Sequence, residues 1–279
     1  MDRRQFLKSG EAGLAAAALG AGSAGGAMAA PASGDAAAAK PDAASRGSRT
    51  YVLVHGAWHG GWCWRDVAPR LRAAGHRVYT PTLTGLGERA HLANPSVDLT
   101  THATDVVNVF DFEELDDVIL VGHSYAGHVI PLVADAIGAR IRHLVFIDSV
   151  VARDGHPFLA PEVGEARARA AKDGYLDPPP GLEFFGIPAD HPLAPWVQRH
   201  LVPQPLGTLR QVVRFRNGGH SSLPKTFIRC LRRRDMSRPD PIEPQIKGQP
   251  GWTWRTIDTG HDAMVTMPAE LSQMLLEVA

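Results

Sequence analysis

Short aliphatic runs alternate along this chain with stretches whose apolar positions recur every three or four residues. The first clear strand is Thr50-Tyr51-Val52-Leu53-Val54-His55, followed by Arg77-Val78-Tyr79-Thr80. Val118-Ile119-Leu120-Val121 and the segment from Ile141 to Asp148 carry little polar alternation, the pattern of strands covered on both faces. Thr226 to Leu231 returns to the strand pattern, and Trp252 to Ile257 alternates in period two, as an edge strand does. Between them, residues 64–74 place Trp64, Val67, Leu71 and Ala74 at helical spacing. Residues 101–114 do the same with Val106, Val109 and Phe110, and Pro268 opens a terminal helix that buries Leu271, Met274, Leu275 and Val278. This alternation, without an internal repeat, predicts an α/β fold: a doubly wound, mostly parallel sheet.

From about residue 151 to 224 the alternation stops. Pro178-Pro179-Pro180-Gly181, Phe184-Phe185-Gly186 and Pro195-Trp196 dominate there, and only Ala166 to Lys172 reads as helix. A long insertion between two core strands, rich in Phe, Leu and Trp, fits a lid that walls a pocket for apolar or aromatic ligands.

Formal net charge is zero, so no global field draws nucleic acid or an anionic membrane, and Arg232 to Arg234 reads as a solvated loop. The first residues change the picture. Arg3-Arg4-Gln5-Phe6-Leu7-Lys8 resembles a bacterial twin-arginine export signal, and Ala27-Met28-Ala29 offers a small-x-small cleavage site. The intervening stretch is short and glycine-rich, too weak for a stable membrane anchor. Residues 1–29 are therefore expected to be a signal, 30–48 a flexible linker, and 49–279 the folded domain, exported to the periplasm or beyond. Cys63 and Cys230 sit among apolar neighbours, as buried free thiols do.

The chemistry centres on Val118-Ile119-Leu120-Val121-Gly122-His123-Ser124-Tyr125-Ala126-Gly127. Strand, tight turn and helix start make a nucleophile elbow, with Ser124 at its tip. Ala126 stands where the usual pattern has glycine. A serine attacking a carbonyl needs two backbone N–H groups for the oxyanion. One is expected from Tyr125, and the other from Ala57 in the loop Gly56-Ala57-Trp58-His59-Gly60-Gly61; Trp58 and His59 are then expected to contact substrate. His55 flanks the same loop. The serine also needs a base, and His261, in the loop after the last strand, holds the required position. The acid is expected just after the strand ending near Cys230, which selects Asp235; Asp240 and Asp148 are the alternatives.

With these residues assembled, the chain resembles the esterase and hydroxynitrile lyase branch of the α/β-hydrolases, which includes plant methyl-ester esterases. The similarity runs from Tyr51 to Ala279 and is strongest in residues 53–64, in Gly122-His123-Ser124 and in Gly260-His261-Asp262-Ala263-Met264. It implies ester hydrolysis with no metal or organic cofactor, and carries the nucleophile to Ser124, the base to His261 and the oxyanion donors to Ala57 and Tyr125. The family's acid falls about three residues after the cysteine, where Arg233 stands, so Asp235 remains the acid by strand position alone. The N-terminal signal makes the expected protein a secreted serine esterase of small esters. In the lyase members a lysine follows the catalytic histidine; Asp262 stands here, which disfavours cyanohydrin cleavage. The runner-up is a non-catalytic small-molecule-binding protein on the same fold.

Overall fold

The computed structural model describes residues 47–232 and 242–278. The expected export signal, Asp235 and Asp240 lie outside these residues. Six strands form the main sheet: β1 (Thr50–Val54), β2 (Arg77–Tyr79), β3 (Val118–His123), β4 (Ile141–Ile147), and the later β7 (Lys225–Cys230) and β8 (Trp252–Ile257). Their order is β2-β1-β3-β4-β7-β8, and every neighbouring pair is parallel. Between β4 and β7 a small antiparallel pair forms from β5 (Tyr175–Leu176) and β6 (Gln204–Pro205).

The helices are α1 (Ala68–Ala73), α2 (Leu99–Phe112), α3 (Ala126–Ile137), α4 (Pro161–Ala170), α5 (Ala194–His200), α6 (Gly207–Arg210), α7 (Glu243–Ile246), α8 (Ala263–Thr266) and α9 (Pro268–Leu276). The continuous aliphatic runs follow from cover on both faces. Val52, Val54, Leu120, Leu144 and Phe146 pack with Val106 and Phe110 of α2 and with Val129 and Val133 of α3. Their strand neighbours Tyr51, Leu53, Ile119, Val121 and Val145 pack on the other side with Leu71 of α1 and with Leu271 and Leu275 of α9. Each such fully buried side chain contributes roughly 1.5–3 kcal/mol relative to exposure.

Local differences from the sequence reading have local causes. The helix expected over 64–74 is split into a 3-10 turn (Gly61–Trp64) and α1, because Pro69, at the start of α1, lacks the N–H that a longer helix would need. Helix α2 begins two residues earlier than expected, at Leu99. There the Asp98 carboxylate accepts the Thr101 N–H at 2.8 Å and the Thr101 hydroxyl reaches back to the Asp98 N–H, closing a capping box. The 151–224 insertion carries more order than its sequence shows, holding α4, β5, α5, β6 and α6.

Strand order reverses between β1 and β3, so crossovers leave in opposite directions and open a crevice at the carboxyl ends of those two strands. The start of α3 presses against the chain leaving β4. A Cβ on Gly127 would run into the Val150 carbonyl oxygen and lie 2.7 Å from Ser149 Oγ, while the Gly127 carbonyl accepts the Ala152 N–H at 3.1 Å. Gly127→Ala is therefore expected to destabilise the protein by at least about 1–3 kcal/mol, the usual cost of overpacking. Urea unfolding measures this, and an unchanged midpoint would show that the 149–152 segment yields freely.

Candidate active site

Strand β3 delivers its last residue, His123, to the sheet edge, and the chain turns at Ser124 with φ of 54°, a left-handed conformation that a serine adopts only under constraint. The constraint is visible: the Ser124 N–H donates to the Ile147 carbonyl at 3.1 Å, and α3 starts two residues on. Gly122 makes room for that helix, since a Cβ there would sit 3.0 Å from Ile130 and 3.1 Å from the Ala126 carbonyl oxygen. Ala126 itself is fully buried, so the methyl at the usual glycine position is absorbed by the core.

The turn aims the Ser124 hydroxyl at His261. Ser124 Oγ lies 2.8 Å from His261 Nε2, and His261 Nδ1 lies 2.6 Å from Asp148 Oδ2. Asp148 follows β4 directly, with φ of 39° and its N–H bonded to the Ile228 carbonyl at 2.8 Å. The sequence reading placed Asp235 beside His261. Asp235 lies outside the described residues, and the carboxylate on His261 Nδ1 is that of Asp148. An imidazole Nδ1 carries one proton, and Asp148 accepts it. The other carboxylate oxygen accepts from Arg229 Nη1 at 2.6 Å and from the Cys230 N–H at 3.3 Å.

Electrostatics agree with this geometry. Burial pulls the Asp148 carboxyl upward, but its bonds to His261 and Arg229 and their charges win and hold it at about 2. Burial pulls His261 down, while the hydrogen bond to Asp148 and that carboxylate's charge outweigh it and raise the imidazole above its ordinary 6.5. Burial lowers both His55 and His123 to about 3, in His123 against the opposing charge of Asp262 at 3.7 Å.

The loop after β1 lies against the elbow, where a Cβ on Gly56 would meet His123 Nδ1 at 2.9 Å and Ser124 Cβ at 3.0 Å. Among the described residues the Ala57 and Tyr125 amides donate to no protein acceptor, which leaves both N–H groups available to an oxyanion. The Tyr125 phenol points elsewhere, donating to His102 Nδ1 at 3.0 Å. Trp58 and Ala57 line a cavity of about 690 Å³ with Ser124 and His261; Phe158, Leu176, Phe184 and Leu209 from the insertion supply its apolar wall.

His59, expected beside Trp58 as a substrate contact, is 1% exposed and stands behind the cavity. Its ring lies 2.7 Å from the Ala57 carbonyl oxygen and 2.9 Å from Asp262 Oδ2. Asp262 is likewise turned inward and fully buried; burial raises its carboxyl, yet the His59 charge and hydrogen bond prevail and keep it below the usual carboxylate value. His123 donates Nε2–H to the His261 carbonyl at 3.0 Å. His123, His261 and Asp262 offer ligand atoms within 4.8 Å of one another, but both ring nitrogens of His261 already serve Ser124 and Asp148, so a metal there would dismantle that chain. His55 is also buried, donating Nδ1–H to the Gly56 carbonyl and accepting the Leu83 N–H.

Sequence reasoning missed Arg229 and the inward layer of His59, Asp262 and His123. Arg229 had a signal, a charge in the middle of the buried run Thr226 to Leu231. The inward layer had none, because its members are 203 and 64 positions apart and meet only through the fold.

Comparison with known proteins identifies the family. The profile of the Alpha/beta hydrolase family matches residues 51–274. A carbendazim hydrolyzing esterase of Nocardioides sp. (strain SG-4G) is 44% identical over 242 residues, covering 81% of this chain and 97% of that protein. Methylesterase 3 of Arabidopsis thaliana is 27% identical over 267 residues, covering 82% and 95%. An extracellular alpha/beta-hydrolase from a Paenibacillus species, described as sharing structural and functional homology with tobacco salicylic acid binding protein 2, superposes with a TM-score of 0.70 at 25% identity, over 82% of this chain and 98% of its own. The chain belongs to the alpha/beta hydrolase family, as an esterase-type hydrolase.

Proposed function

We propose that this protein is a serine esterase that cleaves small, neutral esters through an acyl-enzyme. The observation that carries the reading is the unbroken chain Ser124–His261–Asp148, opening onto an apolar cavity beside two uncommitted backbone N–H groups. In the first half-reaction Ser124 Oγ attacks the ester carbonyl while His261 Nε2 takes its proton. Asp148 holds the imidazole in the tautomer that presents Nε2 to the serine and stabilises the imidazolium. The Ala57 and Tyr125 amides take the charge on the carbonyl oxygen. The imidazolium then returns its proton to the departing alcohol, leaving Ser124 acylated. In the second half, water gives a proton to His261, attacks the acyl carbon, and releases the acid with Ser124 restored.

The Nocardioides relative is named for carbendazim, a methyl carbamate on a flat fused heteroaromatic ring. The aromatic wall of Trp58, Phe158 and Phe184 supports a methyl ester or carbamate of a flat ring as the substrate class here. The N-terminal paired arginines support export as a further reading, tested by whether Arg3→Lys together with Arg4→Lys retains the protein in the cytoplasm.

Hydrolysis of methyl esters, methyl carbamates and a short-chain nitrophenyl ester tests the reading directly. Ser124→Ala is expected to lose kcat by about 10⁶-fold, and Asp148→Asn by about 10⁴-fold through the wrong imidazole tautomer, whereas Asp235→Asn keeps kcat near that of the unaltered enzyme. The reverse order for the two aspartates would move the acid to Asp235. The pH profile follows from His261. The reaction needs the neutral imidazole, and this one holds its proton above the ordinary 6.5. As pH falls, kcat/KM is therefore expected to decline with an apparent pKa above 6.5, and an acid limb below that value would contradict the Asp148 contact.

A further inference from the structure

We propose that Arg229 is a positioning residue for ester cleavage: it fixes the Asp148 carboxylate and limits how much of its negative charge His261 feels. The inference rests on the serine esterase reading above. Its geometry is independent of that reading. Asp148 serves two partners at equal distance, His261 through Oδ2 and Arg229 through Oδ1, each at 2.6 Å. Both side chains are almost withdrawn from water, Arg229 at 10% and Asp148 at 7% exposure, so the contact is not a screened surface pair.

The fold dictates this meeting. Strands β4 and β7 pair in parallel with Ile147 opposite Ile228, and the Asp148 N–H extends that ladder to the Ile228 carbonyl. The next residue on β7 is Arg229, whose guanidinium lies 4.9 Å from the centre of the Phe227 ring and 6.0 Å from that of Trp254. Those two rings stack nearly parallel at 5.2 Å and give the flat cation a fixed bed. Asp148 itself sits at positive φ, a backbone state uncommon for a non-glycine residue. Arg229 holds its carboxylate by one oxygen and His261 by the other.

The chemical effect follows from sharing. A carboxylate with a cation on one oxygen attracts an imidazolium on the other less strongly, so Arg229 opposes the proton affinity that Asp148 confers on His261. The other groups facing His261 are Asp262 from its own loop, the neutral His123 ring from β3 at 4.6 Å between centres, Ser124 at the elbow and the Cys230 thiol from β7, with His59 reached through Asp262. Among them Asp262 also favours the imidazolium, which leaves Arg229 as the group that opposes the two carboxylates. A base held too strongly protonated is useless near neutral pH; Arg229 keeps His261 within working range.

The test is the pH dependence of kcat/KM on a short-chain nitrophenyl ester, with the pH dependence of fluorophosphonate labelling of Ser124 alongside. Both use the full chain, as Arg229→Gln and Arg229→Lys. Gln keeps a donor and loses the charge, so the acid limb is expected to move up by roughly half to one pH unit. Activity below the limb then falls by up to about tenfold, returning at alkaline pH. Lys keeps the charge and loses the fork, so its limb stays with the unaltered enzyme while kcat falls. A Gln limb that does not move, whatever happens to kcat, would reduce Arg229 to a structural brace and overturn the proposal, as would a downward shift. Should the Gln variant fail to fold, the Lys variant decides by the labelling profile, an unmoved limb supporting the role of charge and an upward shift overturning it. If the unaltered protein is not labelled at Ser124, the esterase reading itself fails; labelling with an unmoved limb sinks only the part given to Arg229.

Discussion

Every strand of the main sheet runs the same way, so all six release their chains at one edge. The site is a consequence of that constraint. Ala57 follows β1, Ser124 follows β3, Asp148 follows β4 and His261 follows β8, and no other edge of the sheet could gather them. The same edge carries backbone strain. Trp58, Ser124 and Asp148 all have positive φ without being glycine, and each stands just beyond a strand's carboxyl end. Such conformations cost of order 1–3 kcal/mol each and persist where surrounding contacts over-determine them. The surrounding contacts are the ladder bonds from Ser124 to Ile147 and from Asp148 to Ile228, and the bond from the Trp58 N–H to Gln204.

That last bond shows how the insertion between β4 and β7 is joined to the catalytic loops. Trp58 alone makes three ties to it: N–H to Gln204 Oε1 at 3.0 Å, indole N–H to the Leu176 carbonyl at 3.0 Å, and its own carbonyl to the Val202 N–H at 3.0 Å. On the base side the Asp262 N–H donates to the Phe185 carbonyl at 2.9 Å, and Gly186 and Gly260 approach so closely that neither has space for a side chain. The insertion is thus built into the oxyanion loop and into the histidine loop at once.

The α/β class, the strand positions, the turn at Ser124 and the place of His261 beside it were legible because each is written in local pattern. Val118 to Val121 announces a doubly covered strand, and Ser124 and His261 follow from turns at strand ends. Asp235 was chosen because the acid was expected after the strand ending at Cys230. The structure reaches His261 from the neighbouring strand instead, and two aspartates near two strand ends cannot be separated by local sequence. The register of β4 against β7, which sets Asp148 beside both Arg229 and His261, is a long-range property. His59 shows the same limit in reverse. Its position in a glycine-rich loop pointed to the cavity, yet a carboxylate 203 residues away turns its ring inward.

Asp262 carries the argument from position to specificity. It occupies the place after the base where lyase relatives carry a lysine, but its carboxylate faces His59 and the protein interior. The Asp262 carboxylate therefore does not project from that loop into the cavity. The remaining charges on the cavity wall divide into two kinds. Asp148 and Arg229 pair with each other deep in the site, and Arg167 and Asp177 are exposed to solvent. Around the serine the cavity offers a hydroxyl, an imidazole, two amides and aromatic carbon. Under the esterase reading, a neutral ester loses little hydration against that aromatic carbon and gains apolar contact. The inward turn of one carboxylate thus keeps that charge off the cavity wall, in keeping with the neutral esters proposed above.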